Sequence, residues 1–101
     1  HVDSQNKAQF KSFMYLSDVG SDSGPFTFIQ KSKGLVNKLN TYESLRISQE
    51  SIEDIFNPED IIEITGSAGT CILADSTYVH RGKQIEQGVR YTYTNYFYDL
   101  T

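Results

Sequence analysis

The sequence predicts an all-β domain, in the form of a sandwich, a barrel or a jelly roll. Short runs rich in aromatic and β-branched residues recur along the chain, separated by clusters such as Gly-Ser-Asp-Ser-Gly-Pro that favour turns. Signals for long helices are almost absent. A length of 101 residues provides for one small domain, so residues 1–101 are treated as a single domain.

The predicted strands lie, in chain order, at residues 9–19, 25–32, 60–66, 69–76, 77–82 and 89–100. Between the second and third of these, residues 33–60 are predicted to form an irregular insertion. A short helix is expected to start near Ser48, with Ile52, Ile55 and Phe56 as its apolar positions. Because loops at the mouth of a barrel often carry specificity, part of this insertion could cover a substrate.

The last predicted strand has two unlike faces, because side chains alternate along a strand. One face carries Arg90, Thr92, Thr94, Tyr96 and Tyr98. The other carries Val89, Tyr91, Tyr93, Asn95 and Phe97. If the first face points inward, a guanidinium lies inside the domain, which is costly unless an anion meets it.

Composition limits the class of function. The net charge of -4 and the pI near 5.0 give no indication of a nucleic-acid partner. No apolar run approaches the roughly 20 residues that span a bilayer, so no membrane partner is expected. Cys71 is the only cysteine, which excludes a disulfide framework and favours a reducing, cytoplasmic compartment. We expect Cys71 to be a buried structural thiol rather than a nucleophile.

Three residues have the chemistry of a metal site. His1, Asp3 and His80 together provide two imidazoles and one carboxylate, the ligand set of non-haem Fe(II) oxygenases. In an extended segment, His1 and Asp3 leave the same face and could bind one ion. The alternative for His80 is a hydrogen-bonded structural histidine, and for Arg90 an ion-paired arginine. The order of these residues along the chain, ending in an arginine on a strand, favours the metal site.

At this point the sequence resembles a known family. The segments "HVD", "KSFMYLSDV", "GPFTFIQKS", "GTCILADSTYVHRGK" and "GVRYTYTNYF" are similar to the phytanoyl-CoA dioxygenase-like (PhyH) branch of the Fe(II)- and 2-oxoglutarate-dependent oxygenases. The resemblance covers most of the chain and is least clear from residue 33 to residue 60. It implies a double-stranded β-helix, a cupin-like jelly roll of eight strands. Family domains are roughly twice this length, so the fold is expected to be truncated at its N-terminus, and we do not expect this piece alone to be a good enzyme.

The resemblance also implies roles for individual residues. His1, Asp3 and His80 match the iron ligands, and Arg90 matches the arginine that pairs with the distal carboxylate of 2-oxoglutarate. Thr92 resembles the hydroxyl residue that assists this contact. The implied reaction uses Fe(II), 2-oxoglutarate and O2 to hydroxylate an unactivated C–H bond of a small-molecule substrate, with release of succinate and CO2. The turn at Gln30 differs from the Gly-Ser-His that relatives often have.

Some alternatives stay open. The chain could instead be a non-catalytic or sugar-binding cupin-like module that keeps the fold without the reaction. Asp75 could accept a hydrogen bond from a metal-binding imidazole and so orient it, or it could form a turn. The substrate and the oligomeric state do not follow from the sequence.

Overall fold

The computed structural model describes residues 1, 9–32 and 49–98, and in this part of the chain it is mostly β-structure. The strands are β1 (Gln9–Tyr15), β2 (Phe26–Ile29), β3 (Ile61–Ile64), β4 (Cys71–Asp75), β5 (His80–Gly82) and β6 (Thr92–Tyr98). A helix α1 (Gln49–Ile55) and a 3-10 turn (Pro58–Asp60) lie between β2 and β3. The predicted all-β class is therefore confirmed, as are the strands and the short helix, with shorter bounds at several ends.

The strands form two antiparallel sheets, ordered β4-β1-β6 and β3-β2-β5. In the first sheet β1 is central, and Lys11 lies opposite Ala74 on one side and Tyr96 on the other. In the second sheet β2 is central, and Phe28 lies opposite His80 of β5. This register decides which side chains face the space between the sheets, because alternate residues point to opposite faces.

The space between the sheets holds one hydrophobic cluster. Its buried members are Tyr15, Val19, Phe26 and Ile72, with Phe13, Phe28, Ile64 and Ala74 packed against them. These residues come from β1 and β4 of one sheet and from β2 and β3 of the other, apart from Val19 on the loop after β1. Burial of their apolar surface is the main force that holds the sheets face to face.

A second cluster lies on the outer side of the second sheet. Ile29 and Val79 are buried there against Phe56, and Ile52 of α1 packs against them. Two of the three apolar positions predicted for the helix, Ile52 and Phe56, thus pack as expected, whereas Ile55 is exposed. The helical part of the predicted insertion covers the outside of the sheet. Residues 33–48 of the predicted insertion lie outside the described residues. No helix in the described part of the chain is long and apolar enough to cross a membrane.

The prediction that Cys71 is buried was wrong. Cys71 is exposed and lies opposite Met14 in the pairing of β1 with β4. The register of β4 directs Ile72 and Ala74 into the space between the sheets, so Cys71 and Leu73 point outward. An apolar run of this kind marks a strand but does not reveal which of its faces is buried.

One hydroxyl group joins the two sheets. Tyr15 of β1 is 1% exposed, and its hydroxyl donates a hydrogen bond of 2.8 Å to the carbonyl oxygen of Ile64. The hydroxyl oxygen of Tyr15 also accepts a hydrogen bond of 3.0 Å from the backbone N–H of Phe26. Because Ile64 and Phe26 belong to the second sheet, this single side chain from the first sheet satisfies one donor and one acceptor across the interface.

We expect the Tyr15→Phe substitution to lower the free energy of unfolding by about 1–3 kcal/mol, because it leaves two buried backbone groups without their partner. Chemical denaturation measures this difference. The matched control is Tyr93→Phe on the outer face, where the side chain is 60% exposed and the change should stay within about 0.5 kcal/mol. Equal effects of the two substitutions would contradict the bridging role.

Candidate metal centre

A cavity of about 120 Å³ lies between the sheets at the edge formed by β5 and β6. It contains four of the five residues that the sequence proposes for a site. The residues that line it are His1, Lys11, Phe13, Tyr15, Phe26, His80, Gly82, Arg90 and Thr92. The fifth, Asp3, lies outside the described residues.

His1 and His80 are brought together by backbone pairing. The backbone nitrogen of His1 donates to the carbonyl oxygen of His80 at 3.1 Å, and the N–H of His80 donates back to that of His1 at 2.9 Å. This reciprocal pair places His1 on the edge of β5 opposite β2. The two imidazole rings consequently lie with centroids 4.5 Å apart at 56°. Pairing of this type puts both rings on the same side of the sheet.

Hydrogen bonding fixes the tautomer of His80. Its Nδ1 lies 2.8 Å from the carbonyl oxygen of Tyr78, which can only accept, so we assign the proton to Nδ1. In the neutral ring Nε2 then carries a lone pair, as a metal ligand requires. His80 is 5% exposed, and Nε2 lies 3.5 Å from the Nζ atom of Lys11. The ring is thus oriented by the backbone of its own strand segment.

Asp75 has the role of a turn residue. Its Oδ1 atom accepts hydrogen bonds from the backbone N–H of Thr77 at 3.0 Å and from the hydroxyl of Thr77 at 2.6 Å. These contacts close the turn between β4 and β5. Of the two interpretations, these contacts support the turn, and the Nδ1 atom of His80 lies against the carbonyl oxygen of Tyr78.

Arg90 is held at the base of the cavity by backbone carbonyls. Its Nη1 atom donates to the carbonyl oxygen of Gly24 and, at 3.3 Å, to that of Lys83. A Cβ atom on Gly24 would lie 2.6 Å from Nη1, and one on Gly82 would lie 3.3 Å from Nη2. The guanidinium therefore lies directly against two glycine backbones, where a side chain would displace it. Arg90 and Thr92, which share one face of the last predicted strand, both line the cavity, whereas Tyr96 of the same face is 57% exposed.

Lys11 is the site residue that sequence reasoning missed. It is 7% exposed, and its ammonium lies 4.8 Å from the centroid of the Tyr96 ring and next to His80. A lysine buried to this extent is unusual unless it is paired. The sequence contained one signal for its burial: in β1, Lys11 lies on the same face as the apolar residues Phe13 and Tyr15, because alternate residues of a strand share a face.

A larger, apolar cavity of about 340 Å³ lies on the other side of Phe26, which lines both spaces. Its walls include Phe28, Ile64, Ile72 and Ala74, with polar groups of Gln30, Lys31, Asp75 and Tyr78. Its volume is within the range of small-molecule sites. The two cavities together extend across the space between the sheets.

Among the described residues that line the smaller cavity, the side chains of types that commonly bind metals are the two imidazoles. No group of three or more His, Cys, Asp and Glu side chains occurs in residues 1, 9–32 and 49–98. Imidazole nitrogens suit a divalent transition metal such as iron. In the tautomer assigned to His80, the lone pair that could bind such a metal is on Nε2. No family model, curated protein or solved structure matches the chain.

We expect Gly24→Ala to displace the Arg90 guanidinium and to lower the free energy of unfolding. The matched control is Gly88→Ala, because both glycines have positive φ (76° and 79°) but no atom lies within 4 Å of a Cβ on Gly88. The control should cost about 1 kcal/mol from backbone strain alone. Gly24→Ala should cost at least about 1 kcal/mol more, because its Cβ would lie 2.6 Å from both Arg90 Nη1 and the Lys83 carbonyl oxygen. Thermal and denaturant unfolding measure both, and equal costs would contradict the packing of Arg90 against Gly24.

Proposed function

We propose that the protein is an Fe(II)- and 2-oxoglutarate-dependent dioxygenase that hydroxylates an unactivated C–H bond of a small-molecule substrate. The observation that carries the proposal is the meeting of His1, His80, Arg90 and Thr92 in one cavity. His1 is distant in the sequence from the other three residues, and the fold brings it to them.

The sheet topology supports a jelly roll. Strands β2 and β3 pair as a hairpin, β1 and β4 pair outside it, and His1 pairs outside these with β5. The chain is thus one long antiparallel hairpin whose successive pairs alternate between the two sheets. The pairing of β1 with β6 and of β2 with β5 then joins the strand pairs of this hairpin side by side into two sheets. This nesting is what two Greek keys in a jelly roll require.

The donor set supports a metal centre of two histidines and one carboxylate. His1 and His80 would supply the imidazoles, and Asp3, outside the described residues, is proposed as the carboxylate. When bound, Fe(II) with O2 and 2-oxoglutarate supplies the oxidation of the C–H bond, with release of succinate and CO2. The carbonyl of Tyr78 holds the His80 ring in the tautomer that this binding needs.

Arg90 would bind the distal carboxylate of 2-oxoglutarate. Its Nη1 is engaged by the carbonyls of Gly24 and Lys83, which leaves Nε and Nη2 as the pair of donors for a carboxylate. A planar guanidinium held in this way binds in one orientation. Thr92 lies opposite Tyr15 in the pairing of β1 with β6 and lines the same cavity, which supports the proposal that its hydroxyl assists this contact.

The apolar walls support the exclusion of water. Phe13, Tyr15 and Phe26 line the cavity beside the imidazoles, and the Phe13 and Phe26 rings pack with centroids 4.8 Å apart. Electrostatic contacts to a bound dicarboxylate are stronger when water is excluded. The neighbouring apolar cavity is the proposed place for the carbon skeleton of the substrate.

We expect the full-length protein to show the visible absorption of an Fe(II)–2-oxoglutarate chelate under anaerobic conditions, and His80→Ala to abolish it. The loss follows because the chelate would be short of one imidazole ligand. The control is Arg81→Ala, at the next residue of β5, which is exposed. Absence of the band from the wild-type protein would favour a non-catalytic or sugar-binding module, and its persistence in His80→Ala would remove His80 from the ligand set.

We expect Arg90→Met to raise the 2-oxoglutarate concentration for half-maximal succinate formation by about tenfold to a hundredfold, because a charged hydrogen-bonding partner is lost. Metal affinity without 2-oxoglutarate should stay within about threefold of the wild-type value. The matched control is Arg81→Met, which removes an exposed arginine and should leave both values unchanged. An unchanged 2-oxoglutarate requirement in Arg90→Met would contradict the carboxylate assignment.

A further inference from the structure

The two cavities between the sheets meet at one aromatic side chain. Of the residues that the structure describes, Phe26 alone lines both the smaller cavity, with His80 and Arg90, and the larger apolar cavity. Phe28, two residues further along β2, lines only the larger cavity, and Phe13 of β1 lines only the smaller one. The boundary between the two spaces therefore runs through the ring of Phe26.

The position of this ring is fixed from both sheets. Phe26 lies on β2, the central strand of the second sheet, opposite Ile64 on one side and Gly82 on the other. Its backbone N–H donates to the hydroxyl of Tyr15, which belongs to the first sheet. Its ring packs against that of Phe13, also of the first sheet, with centroids 4.8 Å apart. The two rings thus close the space between the sheets at this level, and Phe26, at 7% exposure, is held by close packing.

The ring also lies beside the proposed metal ligand His80. The centroids of the Phe26 and His80 rings are 5.7 Å apart, and His80 lines the smaller cavity but not the larger one. An apolar group packed on the opposite face of the Phe26 ring would lie roughly 9 Å from the imidazole, because a contact between carbon atoms adds about 3.5–4 Å. The Phe26 ring therefore keeps a group in the larger cavity out of contact with His80.

We propose that Phe26 is a specificity-determining residue, which confines the apolar body of the substrate to the larger cavity. The C–H bond that is oxidised then lies outside this body, in a part of the substrate that extends past the ring. A small residue at position 26 lets the body itself reach the imidazole. This inference rests on the proposed function, because it takes His80 as a metal ligand and the larger cavity as the place of the substrate.

The test locates a hydrocarbon probe in the metal-free, full-length protein by nuclear Overhauser effects. Naphthalene is the probe, because the larger cavity has apolar walls whereas charged side chains line the smaller one. It is added to the wild-type protein, to Phe26→Ala and to Phe28→Ala. Phe28 is the matched control, because it lies on the same face of β2 and its loss widens the larger cavity without opening the boundary.

In the wild-type protein, naphthalene should show nuclear Overhauser effects to the methyl groups of Ile64 and Ile72 and none to the ring protons of His80. In Phe26→Ala, effects to the His80 ring should appear and its proton resonances should shift, because the vacated space adjoins the imidazole. Phe28→Ala should keep the wild-type pattern. Effects to His80 in the wild-type protein, or none in Phe26→Ala with the probe bound, would overturn the proposal, as would failure of the probe to bind in the larger cavity.

The milder substitution Phe26→Leu replaces Phe26→Ala if the latter does not fold, because truncation of a buried Phe to Ala costs about 3–5 kcal/mol. Effects to His80 are expected in this variant too, and the wild-type pattern decides the separation of the cavities without any variant. Failure of the proposed function has a separate sign, the absence of the Fe(II)–2-oxoglutarate absorption band. If that band is absent while the probe behaves as expected, the cavities are separate but the role of Phe26 in substrate selection is overturned.

Discussion

The hydroxyl of Tyr15 is the contact on which the arrangement between the sheets depends. Tyr15 belongs to β1, yet its hydroxyl accepts a hydrogen bond from the N–H of Phe26 and donates one to the carbonyl oxygen of Ile64. These two bonds set the distance between the two sheets at this point. Both cavities lie in the space whose depth is set in this way, with Tyr15 itself in the wall of the smaller one. Apolar packing alone is non-directional and would permit the sheets to slide. The directional hydrogen bonds to one buried side chain remove that freedom.

The sequence was sufficient for the elements and insufficient for some of their faces. For residues 89–100 the alternation left open which face is inward, and the structure places Arg90 and Thr92 of one face at the cavity. In β4 the prediction for Cys71 was wrong, since the run from Cys71 to Ala74 is apolar and either face could have been buried. The burial of β4 is decided by its pairing with Met14 and the rest of β1, which is a tertiary fact that local pattern does not contain.

The site was predictable to the extent that its residues have distinctive chemistry. Two histidines and an inward arginine are few enough to be considered together, and the fold does bring them to one cavity. Lys11 was not considered, because lysine on a strand is ordinarily a surface residue with its ammonium in water. Its burial follows from the central position of β1, which has a paired strand on each side. Centrality in a sheet is set by partners distant in sequence, so the local signal for Lys11 was limited to its place on the same face of β1 as Phe13 and Tyr15.

The register also decides how two cationic side chains, the buried Lys11 and the half-buried Arg90, lie in the cavity. Lys11 pairs with Tyr96 and Tyr15 pairs with Thr92, so the Lys11 level and the Thr92 level are four residues apart along β1, or about 13 Å at the rise of a strand. Arg90 lies beyond Thr92, held by the loop carbonyl of Gly24, and Phe13 occupies the level between. The charged groups themselves are closer than these levels, because Lys11 reaches His80 and Arg90 reaches Gly82, two residues or about 7 Å further along β5. The proposed dicarboxylate would therefore meet a cationic group at each end, whereas a monocarboxylate would meet only one of the two.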